Sequence, residues 1–113
     1  MPRLSPRTVS RMNRDKFTHA LGLCARAGRL AAGHDAVKDS VRKRRAKLIV
    51  FTSEASERLK GELSGLAGEA VIVLSVDLTN EDIKAAAGKR AAVLSVNDNG
   101  LAKLVRSAYE CDQ

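Results

Sequence analysis

Residues 48 to 74 read LIVFTSEASERLKGELSGLAGEAVIVL, and the fold class follows from this stretch. Leu48-Ile49-Val50-Phe51 is a compact β-branched and aromatic run with no polar alternation, the pattern of a strand covered on both faces. Ser56 then opens a helix that carries Leu59, Leu63 and Leu66 at helical spacing, with Gly65 and Gly68 at its exit. Val71-Ile72-Val73-Leu74 follows as a second continuously apolar strand. Strands buried in this way need helices on both faces of their sheet.

The alternation extends in both directions. Upstream, Phe17, Ala20, Leu21, Cys24, Ala25 and Ala27 recur at spacings of three and four, so a helix is expected from Asp15 to Ala27, stopped by Gly28. A very short strand at Leu30-Ala31 leads to Gly33, and Ala36, Val37 and Val41 mark a second helix ending in the basic run Arg42 to Arg45. Downstream, Thr79 and Asp82 form a capping box for a short helix through Ile83 to Ala87, halted by Gly88. Ala91 to Val96 is a last apolar strand, and Asn97-Asp98-Asn99-Gly100 turns the chain into a helix carrying Leu101, Leu104, Val105 and Ala108. The expected fold is α/β, a three-layer α/β/α sandwich around a small central mixed sheet of about four strands. The order of those strands is not readable, and right-handed crossovers are the default between parallel neighbours.

At 113 residues, 44% hydrophobic, with eight Gly and two Pro, the chain is sized for one domain. Such a length buries roughly two-thirds of its unfolded surface, enough for a core without disulfides or metal. We expect the domain to span 15–113, preceded by a basic arm over 1–14 that holds Arg3, Arg7, Arg11 and Arg14 and no acid. Cys24 and Cys111 are too few and too far apart for a metal cluster and fit a reducing cytoplasm. No apolar run approaches the roughly 20 residues that span a bilayer, and the N-terminus lacks the apolar core of a secretory signal.

Charge is informative through its distribution. The formal net charge is +7, but residues 1–47 hold thirteen Lys/Arg against Asp15, Asp35 and Asp39, whereas residues 48–113 hold seven against ten Asp/Glu. A polarised excess of this kind suits a polyanion, because neutralised phosphates release counterions. The densest part is Lys38, Arg42, Lys43, Arg44, Arg45 and Lys47, opposed by Asp39 alone. Lys38, Arg42 and Arg45 stand at i, i+4 and i+7, which predicts one cationic stripe on the second helix. Complementing the helix dipole accounts for two or three of these charges, not six. Phe17, Phe51 and Tyr109 are too few for a sheet that stacks unpaired bases.

Catalysis finds little to work with. Gly28 and Gly33 have the spacing of a phosphate-binding P-loop, yet His34 and Asp35 stand where its Lys and Ser/Thr are required. His19, His34 and Cys24 form no ligand or nucleophile spacing, and a lone Cys on an apolar face is usually a small core residue. No catalytic residue, metal ligand or cofactor is therefore assigned.

Several stretches together resemble a known family: Leu21-Gly22-Leu23, Arg26-Ala27-Gly28-Arg29-Leu30, Gly33, Arg45-Ala46-Lys47-Leu48-Ile49-Val50 with Ala55-Ser56, and Gly88-Lys89 followed by Val96, Asp98, Gly100 and Ala102. They are similar to the kink-turn-binding ribosomal proteins of the L-seven-Ae and L-thirty-e type, above all the small bacterial YlxQ-like branch, from about Met12 to Tyr109. The resemblance implies an α/β/α sandwich and a noncatalytic, cofactor-free binder of structured RNA, ribosomal RNA included, with ribosomal or other proteins as further partners. It places RNA against Gly33, His34, Asp35, Ala36 and Lys38 and against the loop Gly88 to Ala92 with Lys89 and Arg90. Arg42 and Arg45 add electrostatic support. The family's Gly-x-Asn-Glu-x-x-Lys pattern keeps only its glycine here, since Asp35, Ala36 and Asp39 replace the other three. A one-residue deletion would instead put His34, Asp35 and Lys38 at those positions, but it sends Ser40 inward, and an unsatisfied buried hydroxyl is costly. The resemblance thus predicts an RNA binder with weak affinity for a standard kink-turn; the cytoplasm follows from cysteine usage, and the oligomeric state is left open with a monomer preferred. The alternative is a protein-interaction adaptor on the same fold, its basic surface facing an acidic partner.

Overall fold

The computed structural model describes residues 14 to 110. Nine elements alternate: α1 (Arg14–Arg26), β1 (Leu30–Ala32), α2 (His34–Arg42), β2 (Leu48–Phe51), α3 (Glu57–Ala67), β3 (Ile72–Ser75), α4 (Asn80–Ala87), β4 (Val93–Val96) and α5 (Asn99–Glu110). The expected arm lies outside the described residues except for Arg14, which opens α1 and reaches Asp82 at 3.1 Å. Cys111 also lies outside them.

The four strands form one mixed sheet in the order β1-β4-β2-β3. β4 runs antiparallel to both β1 and β2, and β2 runs parallel to β3. Side-chain alternation then sorts the core into two layers. Leu48, Val50, Leu94 and Val96 pack with Phe17, Leu21 and Cys24 of α1, Ile83 of α4 and Val105 of α5. Ile49, Phe51 and Val93 face the other way, against Val37 of α2 and Leu63 of α3. The sheet is thus sandwiched by α1, α4 and α5 on one face and by α2 and α3 on the other.

Local signals act as expected at the helix ends. Ser56 Oγ accepts from the Leu59 amide at 3.1 Å, and Thr79 and Asp82 make the reciprocal capping box at 3.1 and 2.9 Å. Gly88 closes α4 in the left-handed conformation, φ 85°.

Two expectations are corrected. The run at 71–74 is not covered like 48–51: β3 is an edge strand paired only with β2, and Ile72 and Val73 are 38% and 37% exposed. Apolar composition alone does not tell an edge from a centre. The stripe of Lys38, Arg42 and Arg45 is also broken. Helix α2 ends at Arg42, and Arg44 takes φ 59°, so Arg45 leaves the helical face. The turn closes through the Arg44 amide on Val41 O (3.0 Å) and the Arg45 amide on Ser40 O (2.9 Å).

Candidate nucleic-acid interface

The sheet brings two glycine turns together. β1 ends where β4 begins, and the Gly33 amide extends their ladder by donating to Val93 O at 2.9 Å. The Thr52 amide holds Ala92 O at 3.0 Å from the other side. The segments Gly33 to Lys38 and Gly88 to Ala92 therefore share one end of the sheet, together with the starts of α3 and α4.

Gly33 is the N-cap of α2, with φ 99° and ψ 161°, and no side chain caps this helix. The first bond of the helix runs from the Val37 amide to Gly33 O at 3.0 Å, so the amides of His34, Asp35 and Ala36 precede the helical ladder. Such a terminus carries partial positive charge toward an anion or a base acceptor. A Cβ on Gly33 would meet nothing within 4 Å, so what requires glycine is the positive φ, not a crowded approach.

His34, Asp35 and Ala36 are exposed and Lys38 is half-buried. Reading the sequence did not find Glu62, which α3 places against two of them. Its Oε2 lies 3.2 Å from His34 Nε2 and 3.5 Å from Lys38 Nζ. The hydrogen bond with His34 is the main cause holding the Glu62 carboxyl below its ordinary value, with the Lys38 charge assisting. Only the packing of α2 on α3 brings Glu62 here, and no local spacing signals it. On the second loop Lys89 and Arg90 are exposed, and Arg90 Nε pairs with Glu81 at 3.1 Å.

Arg42 and Arg45 are exposed as expected but stand at the far end of α2, near the starts of β1 and β2. A helix of nine residues puts about 13 Å between them and Gly33. The structure thus assembles the loop residues and separates the arginines from them.

Ser40 overturns the reason for preferring the ungapped alignment. It is buried in any case, and its hydroxyl accepts from Asn97 Nδ2 at 3.1 Å, while Asn97 Oδ1 accepts from Ser95 Oγ at 3.1 Å. An inward Ser40 is a satisfied member of a buried chain of hydrogen bonds, so it does not argue against the shifted register.

Cys24 is fully buried, and burial, aided by the nearby Asp98 charge, pushes its thiol up to about 11. A neutral, enclosed thiol is a core residue. Among the described residues no three His, Cys, Asp or Glu side chains are grouped to hold a metal ion, and no helix is long and apolar enough to cross a membrane.

No protein-family model matches the chain. The RNA-binding protein YlxQ of Enterococcus faecium is 28% identical over 98 residues, covering 87% of this chain and 95% of that protein. The structure of a protein with unknown function from Bacillus halodurans C superposes with a TM-score of 0.77 at 27% identity, over 85% of this chain and 98% of that one. The 15.5kD RNA binding protein of Giardia lamblia superposes with a TM-score of 0.67 over 93% of each chain, and at 13% identity it is a likeness of fold.

Proposed function

We propose that this chain is a member of the YlxQ-like branch of the L-seven-Ae and L-thirty-e type ribosomal protein family and a noncatalytic RNA-binding protein that docks on structured RNA, ribosomal RNA included. The observation that carries this reading is that the uncapped start of α2 and the loop Gly88 to Ala92, with Lys89 and Arg90, stand at one end of the sheet, joined through the Gly33 amide on Val93 O. Unpaired amides and a helix dipole take a phosphate or a base acceptor, while the exposed cations hold the flanking backbone. The name of the Enterococcus relative supports RNA as the ligand class.

The test is ultraviolet crosslinking of the full chain to a hairpin RNA carrying an internal loop, with the crosslinked peptides mapped. Crosslinks are expected within 33–38 and 88–92. An absence of binding at low salt, or crosslinks confined to other segments, would overturn the proposal. The adaptor reading draws on one observation, that Glu62 and Glu81 already occupy Lys38, His34 and Arg90. It would gain if no RNA bound.

A further inference from the structure

Among the described residues, six cations without an ion pair collect at the end of the sheet away from Gly33 and Gly88. Leu30 and Leu48 both face Val96 across their ladders, so Arg29 and Lys47, one residue upstream, stand on the same rim of the sheet. Two strand spacings separate their backbones, about 10 Å. Both turns are pinned: the Lys47 amide donates to Val96 O and the Asn97 amide to Arg29 O, each at 2.8 Å. Arg26 arrives there as the last residue of α1 and Arg42 as the last of α2, followed by Arg44 and Arg45 in the turn.

Lys43 pairs with Asp39 at 3.2 Å, but among the described residues none of the other six makes an ion pair. Of the acids nearby, Asp98 is engaged at the start of α5, accepting from the Leu101 amide at 2.9 Å, and Glu69 sits at the β3 corner. At the loop end Lys38 and Arg90 are each held by a glutamate, which among the described residues leaves Lys89 as the exposed cation there without an ion pair. Where a left-handed turn favours glycine, an arginine stands at φ 59° and keeps the cationic run continuous. No aromatic ring is at hand to stack a base, because Phe17 and Phe51 are buried and Tyr109 is at the opposite end of α5. Guanidinium forks on a rigid rim match phosphate oxygens instead.

We infer that this rim is a second RNA-binding surface, separate from the glycine turns, and that it takes the phosphate backbone of a double-helical RNA stem. The inference rests on the RNA-binding reading above. It places the sequence-independent part of the affinity at the rim and leaves the glycine turns to the irregular part of the RNA.

The experiment follows fluorescence anisotropy of the full chain with two probes, a fully paired RNA duplex and a hairpin with an internal loop, over a salt series. The rim variant is Arg29→Ala/Arg44→Gly/Arg45→Ala, in which the glycine relieves the backbone and protects folding. The charge-matched control is Arg58→Ala/Lys60→Ala/Lys84→Ala, and thermal melts establish that both fold. The wild type should bind the duplex, the rim variant should bind it at least about tenfold more weakly, and its log–log salt slope should flatten by about two to three units. The control should change that slope by under about one unit. Equal losses in the two variants would show diffuse charge and overturn the inference, as would duplex binding by the rim variant equal to that of the wild type. A wild type that binds the internal-loop hairpin but not the duplex would overturn the rim and leave the RNA-binding reading standing. Failure to bind either probe would overturn both.

Discussion

Arg44 shows how one residue can serve charge at the expense of backbone. Its left-handed conformation costs an L-residue about 1 to 2 kcal/mol, and Arg44→Gly removes that cost while adding back about 0.4 to 1 kcal/mol of unfolded-state freedom. The variant should therefore be more stable by about 0.5 kcal/mol, seen as a raised urea midpoint. A lowered midpoint would mean that the guanidinium packs more than it strains. Asp82 is a second residue with a readable role. The Thr79 amide is the main cause of its carboxyl lying below the ordinary 3.8, with Arg14 adding to it. A carboxyl lowered by folding stabilises above its unfolded value, and that contribution is lost as the pH falls through the lowered one. Wild type should then exceed Asp82→Asn in stability at neutral pH, with the difference shrinking below 3.8 and closing in stronger acid. Urea midpoints of both chains at the two extremes decide it, and a difference that survives in acid would assign the effect to shape instead of charge.

Among the elements, β2 and β3 separate what composition joins. Ile49 of β2 is fully buried between the sheet and α2, and Ile49→Ala should cost about 2 to 5 kcal/mol. Ile72 of β3 stands on the open edge, and Ile72→Ala should cost under about 1 kcal/mol. Denaturant titrations of the two variants give the comparison, and similar losses would place β3 inside an interface. Helix α2 allows a functional test of the same kind. Ala36 is exposed at its first turn, and Asp39 is engaged with Lys43. If the ungapped register is the right one, Ala36→Glu with Asp39→Lys restores a carboxylate and an ammonium and should strengthen binding of a kink-turn hairpin, each contact being worth about 1 to 3 kcal/mol. No gain, together with tight wild-type binding, would favour the register in which His34, Asp35 and Lys38 hold those places.

For the whole molecule, segregated charge governs how RNA is met. With six cations unpaired on one rim and glutamates closing on Lys38 and Arg90 at the other end, affinity for structured RNA should fall steeply as salt rises. A dissociation constant unchanged between low and high salt would remove the electrostatic basis of the function proposed. Much of this was legible in the chain itself. The periods of the apolar residues, Ser56, the Thr79 and Asp82 box and the glycines after α1 and α4 determine where helices and strands begin and end, because those signals act within a few residues. Excess positive charge toward the N-terminal part is a matter of counting. Only the tertiary structure decided that β3 is an edge, that Ser40 is buried and satisfied by Asn97, that Glu62 reaches His34 and Lys38, and that Arg29 joins Lys47 and Arg45 on one rim. Each of these depends on strand order and helix packing between residues far apart in the chain, where spacing along the sequence carries no information about distance in space.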